Sequence, residues 1–323
     1  MAPKRPFNVD PVLTAIAIGY RNPEVSRIAD EVLPRVPVPA EKFKWTEYPL
    51  AEGFNVPDAR VGRLGRVQQL EFTGEEKTDA VEDYGLDAPV PYSDIEAADD
   101  ARAAGLSGFD PEGHAVEMLS ETIANIREVR VAQTVHNAAN YAAGRKLTLS
   151  GTDQFSDYAN SDPIGVIKTG MESTLVLPPN TLVMGRTVWS KLSSHPKIVN
   201  AVKGNLTEEG IVSRQQFLEL FSGEGITRLL IGDAYYNAAR PGQPVNLQRA
   251  WGNHIAMLHI NKMASTQGGL TWGMTADYGG PIAGRIEDED VGLQGGVRIR
   301  RGERVKELIV AKDVGYFIQD AVA

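Results

Sequence analysis

The sequence of 323 residues predicts an α+β protein, and three observations carry that expectation. A single stretch from Pro111 to Gly144 reads as one very long helix. Behind it, short apolar runs punctuated by glycine and proline alternate with shorter helical segments. Ahead of it, the chain is proline-broken and extended, with little core of its own. A hydrophobic content of 42% suffices for one large core or two modest ones.

The amino-terminal forty residues include "VLPRVPVPAEKF", where Pro34, Pro37 and Pro39 forbid a continuous helix and leave an extended arm. From Lys42 to about Asp94, strand-like pieces ("FKWTEYPL", "VQQLEFTG") flank the basic turn "DARVGRLGRV", in which Gly62 and Gly65 bend the chain between Arg60, Arg63 and Arg66. This predicts a long two-stranded excursion. Because a lone hairpin is marginal in water, such an excursion needs another surface to lie on. Its return limb carries six carboxylates, Glu71, Glu75, Glu76, Asp79, Glu82 and Asp83, against the lone Lys77.

The long helix starts at an Asp110 N-cap with Pro111 at its first position, and Gly144 offers the stop. Val116, Leu119, Ile123, Ile126, Val129, Ala132, Val135, Ala139 and Ala142 mark its apolar stripe, leaving Glu121, Arg127, Glu128 and Arg130 mostly off it. Downstream, "DPIGVIKTGMEST" predicts a helix, "NTLVMG" a strand and "RTVWSKLSSHPKIVNAV" another helix. Ser213 and Gln216 stand at capping-box spacing. "ITRLLIGDAYY" and "NHIAMLHINK" read as buried strands. The last residues predict a hairpin around Gly302 and a final strand.

Several chemistries find no support. The chain has no cysteine, so disulfides, thiolate metal sites and cysteine nucleophiles are excluded, a usage that suits a reducing cytosol. A formal charge of −9 opposes broad nonspecific binding to nucleic acid. No apolar run is long enough to span a bilayer, and no signal peptide is read at the start. His254 and His259 would face opposite sides of one strand, a poor arrangement for a shared metal. "RIEDED", from Arg285 to Asp290, lacks the spacing of a calcium loop and reads as a solvated acidic turn. Ser107 is not framed as a nucleophile elbow, and "GVRIRRGER" is not a phosphate loop. No cofactor and no catalytic site are expected.

The order of parts resembles the major capsid proteins of tailed bacteriophages, the family with the HK97-type shell fold. The resemblance rests on "RNPEVSRIADEVLPRVPVP" leading into "FKWTEYP", the charged excursion to "YGLDAPVP", the helix from Pro111, "LPPNTLVMGRTVWSKLSSHPKI" and "VKELIVAKDVGYFIQDAV". It implies an arm over 1–41 and an extension loop over 42–95 that lies on a neighbouring subunit. It further implies a peripheral domain over 96–161 with a spine helix at 111–143, an axial domain over 162–296, and a return of 297–323 to the peripheral domain.

By the same resemblance the protein assembles as hexamers and pentamers of an icosahedral capsid in the host bacterial cytoplasm. The shell becomes the virion capsid and encloses double-stranded DNA without reading its sequence. A separate scaffold protein, or a chain already trimmed of a scaffolding segment, is implied, with a portal and a decoration protein as the other implied partners and no membrane. Some members cross-link lysine to asparagine between subunits, but no partner for Lys77 matches, so no cross-link is expected. Charge complementarity makes the acidic run a candidate intersubunit partner for Arg60, Arg63 and Arg66, or for Arg298, Arg300 and Arg301. An encapsulin-type compartment is the rival of the same fold, and a soluble hydrolase is the rival from another class.

Overall fold

The computed structural model describes residues 22–47, 53–67, 69–71, 75–106, 108–204, 209–240, 242–265 and 268–323. Ser107 lies outside them, as do residues 1–21. Two five-stranded sheets and one long helix organise the rest.

The first sheet is built around a 14-residue strand, β13 (Gly296–Ile309). On one edge it pairs with β4 (Glu82–Pro91), the return limb of the excursion. On the other it pairs with β12 (Ile282–Asp288) and then β11 (Gly273–Asp277), and β1 (Arg35–Pro37) runs parallel beyond β11. Gly302 therefore does not turn a hairpin. It sits inside a strand paired on both edges, opposite Gly85 on one side and Ile282 on the other, and a Cβ there would come within 2.7 Å of the Tyr84 carbonyl oxygen.

The second sheet runs β5 (Lys146–Thr148), β14 (Gly315–Gln319), β10 (Ile255–Leu258), β6 (Thr181–Gly185), β7 (Arg228–Gly232), and β8 (Tyr235–Asn237) with β9 (Leu247–Arg249) forms a separate short ribbon. Side chains alternate across its two faces, as the pleat requires. Leu182, Met184, Ile255, Met257, Tyr316 and Ile318 join one core with α4 (Pro163–Ser173), α5 (Arg186–Ser193), α6 (Pro196–Lys203) and α7 (Arg214–Ser222). Val183, Ala256, Leu258 and Phe317 face the other core. The expected single helix over residues 186–202 is two helices, because Pro196 cannot donate a backbone hydrogen bond and His195 becomes an N-cap whose Nδ1 accepts from Lys197 N. The capping box of Ser213 and Gln216 forms with both of its hydrogen bonds.

Between the sheets runs α3 (Pro111–Val135), which follows α2 (Tyr92–Ala103). Its 25 residues span about 37 Å. Ala115 and Leu119 pack on Val90, Val297 and Ile299 of the first sheet. Val131, Ala132 and Val135 pack on the second sheet together with α1 (Ala29–Val32), Trp251 and Trp272. The helix stops eight residues before the expected 143. His136 caps it, Asn137 Oδ1 accepts from Ala139 N to start a separate 3-10 turn, and Asn140 Nδ2 donates to the Thr134 carbonyl.

The expected stripe is right at Leu119, Ile123, Ala132 and Val135 and wrong at two of its other positions within the helix. Val116 and Ile126 are exposed, whereas Ala115, Leu119, Ile123, Arg127, Val131 and Val135 form a straight i, i+4 row that is buried. Strand placement crosses the expected division at 296, since β11 and β12 belong with β13 and β4, while the last strand, β14, lies with β6 and β10 rather than beside the excursion. The excursion itself begins as a ribbon of β2 (Lys42–Glu47) and β3 (Glu75–Ala80), anchored where Phe43 packs with Val38, Ala276 and Leu308.

Candidate assembly interface

The charged residues that the sequence places off the apolar stripe of the long helix form an internal ion network. Arg127 and Glu128 are 2% and 1% exposed. Glu128 accepts from the backbone N–H of Ile28 (2.8 Å) and Ala29 (2.9 Å) and from Trp251 Nε1 (2.5 Å). Burial raises its carboxyl above the ordinary range, against the pull of those three donors. Arg127 reaches Asp30 at 2.7 Å, the Leu33 carbonyl at 3.2 Å and Thr275 Oγ1 at 3.3 Å; its Nη1 lies 3.5 Å from Glu307 without hydrogen-bonding it. Arg130 bonds Glu303 and Glu307 and stacks its guanidinium 3.6 Å from the ring centroid of Tyr84. Arg35 joins Asp30, Asp277 and Glu303.

The network thus ties the arm, the long helix, β11, β13 and the excursion together. Pairing explains how so many charges are tolerated away from water. Beside it lies a cavity of about 420 Å³ lined by Arg27, Asp30, Arg35, Glu121, Arg301 and Glu303 among others.

The candidate contact residues fall into three groups. Arg300 makes a bidentate pair with Asp87 at 2.7 Å for both bonds, and Arg298 holds Asp288 at 2.7 Å. Glu82 takes Lys306 at 2.5 Å and Tyr84, which hold its carboxyl below the ordinary range, and Glu76 takes Lys44 at 3.0 Å. These are satisfied within the chain. Arg301 borders the cavity, and Asp79 caps the backbone N–H of Ala80. Arg60, Arg63, Arg66, Glu71, Glu75 and Asp83 are exposed and make no ion pair with another described residue. All fifteen residues from Gly53 to Val67 are exposed, including Phe54, Val56, Leu64 and Val67, with Val56 and Leu64 at 95%. Among the described residues of its own subunit, so much apolar surface on an extended segment finds no core to enter.

Histidines serve packing. His259 Nδ1 meets the Pro178 carbonyl, and His254 Nδ1 accepts from Asp320 N. Ser161 and His195 are buried with Oγ and Nε2 3.0 Å apart. Because Nδ1 of His195 accepts from Lys197 N, its proton sits on Nε2, so the ring donates to Ser161 rather than deprotonating it. His136 stacks on Phe317 and meets Trp251 and His254 edge-on, and burial, helped by His254, lowers it to about 3. A base depressed on folding stabilises the native state above its unfolded value near 6.5 and loses that contribution as pH falls below it. The dissociated subunit should therefore lose about 2 kcal/mol between pH 7 and pH 5 from His136, with His254, also lowered by burial, adding in the same sense. Urea midpoints at the two pH values test this: His136→Phe should flatten the difference, and an unchanged slope in that variant would refute the assignment.

Among the described residues no helix is long and apolar enough to cross a membrane, and no group of acidic and histidine side chains is arranged to hold a metal. No protein-family model matches the chain. The chain is 46% identical to the major capsid protein of Pseudomonas phage JBD67 over 318 residues, covering 98% of each, and 29% identical to that of Burkholderia phage BcepMu over 320 residues, covering 96% and 95%. A phage-related protein from Bordetella bronchiseptica RB50 superposes with a TM-score of 0.69 at 20% identity over 97% of each chain. The capsid structure of cyanophage P-SCSP1u does so at 0.57 and 10% identity, covering 93% of this chain and 89% of that one. Two sheets bridged by one long helix, with an outlying ribbon, are the HK97-type shell fold. The chain belongs to the family of phage major capsid proteins.

Proposed function

We propose that this chain is the shell subunit of a phage virion: copies of it close into an icosahedral capsid around double-stranded DNA. The observation that carries the reading is the excursion, whose fifteen exposed residues from Gly53 to Val67 include Phe54, Val56, Val61, Leu64 and Val67, apolar side chains that no described residue of the same chain covers. The 46% identity to a phage major capsid protein supports the same reading over an encapsulin compartment. A hydrolase is disfavoured because the Ser161–His195 pair is polarised the wrong way for nucleophilic attack.

In this reading residues 1–41 are the arm and 42–95 the extension loop. The long helix is the spine of a peripheral domain, and the second sheet with α4 to α7 is the core of an axial domain at five-fold and six-fold vertices. Hexamers and pentamers are the building units. A separate scaffold protein, a portal and a decoration protein complete the particle, and the DNA is enclosed without base readout. Closure through several modest contacts per subunit favours correction of misplaced copies.

Expression with a co-encoded scaffold, followed by size exclusion and electron microscopy, tests the reading. Closed shells or capsomers are expected, and a persistent monomer under every condition would overturn it.

A further inference from the structure

Assembly leaves open what the arginine-bearing segment docks on. The acidic run beside it is only partly open, since Glu76 and Glu82 already hold Lys44 and Lys306 of their own chain and leave Glu71, Glu75 and Asp83 scattered between them. A better match lies at the far end of the first sheet. Strand β12 is an edge strand whose residues 282–287 are all exposed, and Ile282 and Ile286, four residues apart, share one face at 40% and 38% exposure.

The turn leaving it carries Glu289 and Asp290, which have no cation partner among the described residues. Glu287 adds a third carboxylate, 77% exposed and 3.5 Å from Arg285, a cation it shares with Glu112. Leu293, fully exposed, stands in the same turn. The surface is thus apolar along the strand and acidic at its end.

Segment 53–67 is its complement in both respects. Arg60, Arg63 and Arg66 recur every third residue, and Val61, Leu64 and Val67 follow each of them by one. All six are exposed, and the backbone bends where Gly65 N bonds Gly62 O at 2.8 Å. Among the described residues, the three cations make no ion pair in their own subunit, and of the three carboxylates Glu289 and Asp290 make none while Glu287 shares only the exposed Arg285.

We infer that residues 53–67 of one copy dock on the β12 edge and the Glu287–Leu293 turn of a second copy, with Arg60, Arg63 and Arg66 meeting Glu287, Glu289 and Asp290. This rests on the shell reading above and specifies the surface that reading leaves unnamed. Each exposed pair is weak alone. Repetition around a closed shell makes the set decisive and makes it sensitive to salt.

The absence of cysteine from the chain makes trapping clean. Leu64→Cys and Arg63→Cys are each combined with Leu293→Cys or Glu289→Cys, assembled, and oxidised or treated with a short bismaleimide that tolerates imperfect geometry. Covalent ladders on a denaturing gel are expected, together with dimers when singly substituted chains are mixed before assembly. Shells that form normally yet give no ladder with any pair would overturn the docking while leaving the shell reading intact. Ladders from doubly substituted chains without dimers in the mixing arm would place the contact within one chain and overturn it as well.

Charge reversal supplies an independent arm. Arg60→Glu/Arg63→Glu/Arg66→Glu and Glu287→Lys/Glu289→Lys/Asp290→Lys should each lose shells, and co-expression of the two variants or their combination in one chain should restore them. Normal shells from either set alone would refute the inference. Failure of the unaltered protein to assemble would instead defeat the shell reading itself.

Discussion

Replacing Glu128 with alanine should destabilise the subunit by about 3–5 kcal/mol, the usual cost of removing one member of a buried charged network. The carboxylate is 1% exposed and accepts three hydrogen bonds, two from the first turn of α1 at Ile28 and Ala29 and one from Trp251. No solvent would replace it, so three donors would be left unpaired, each at a cost of about 1–3 kcal/mol partly relieved by relaxation. The loss of negative charge also leaves neighbouring Arg127 with Asp30 and Glu307 as its remaining anions. Against a total stability of about 5–15 kcal/mol for a typical domain this is a large fraction.

Two readouts check it. The urea midpoint of the dissociated subunit should fall sharply, with Glu128→Gln intermediate because it keeps one acceptor oxygen while turning an amide N–H toward donors. Trypsin should cut faster at Arg27, since α1 begins two residues later and Glu128 secures its start. An unchanged midpoint and unchanged cleavage would show that the arm is held by its apolar contacts alone.

That network also marks where the sequence stopped being legible. Local rules worked where the cause was local: the Asp110 N-cap with Pro111, the Ser213–Gln216 capping box, and the strands at 181–185 and 255–258 are all as the residues dictate. They failed where distant chain decided the outcome. Arg127 and Glu128 read only as residues off the apolar stripe, because nothing nearby showed that α1 and β11 would bring backbone amides, Asp30 and Thr275 to them. Gly302 read as a turn because glycine usually marks one, yet it lies in a strand that needs a bare Cα to let Tyr84 approach.

The candidate contacts divide the same way. Composition singled out both the arginines and the carboxylates, but only the pleat register could show that Arg298 and Arg300 are answered by Asp288 and Asp87 within the chain. The acidic turn at 287–290 was visible as a charge run, and its relation to Ile282, Ile286 and Leu293 was not, because that depends on β12 being an edge.

The second large effect is expected at Gly232, the last residue of β7. A Cβ built there falls against the Trp251 indole, at Cδ1, Cγ and Nε1, closer than real side chains approach. Overpacking of a rigid core costs about 1–3 kcal/mol, and this site belongs at the upper end because the ring has no room to yield. Trp251 is fully buried, sits edge-on to His136 with ring centroids 5.4 Å apart, and is held by its hydrogen bond to Glu128. Gly232→Ala must therefore either shift β7 or turn the indole out of reach of Glu128, which would unpair the same carboxylate that secures α1.

A double-mutant cycle separates those possibilities from a general strand effect. If the clash is with the indole, Gly232→Ala should cost markedly less in a Trp251→Ala background, which removes the ring atoms it meets, with a coupling of about 0.5–3 kcal/mol of the kind seen for residues in contact. Costs that add within about 0.5 kcal/mol would mean that the substitution acts through the β7 backbone and that Trp251 adapts. Coupling instead would make one glycine, through one indole and one carboxylate, a condition for seating the arm on the long helix.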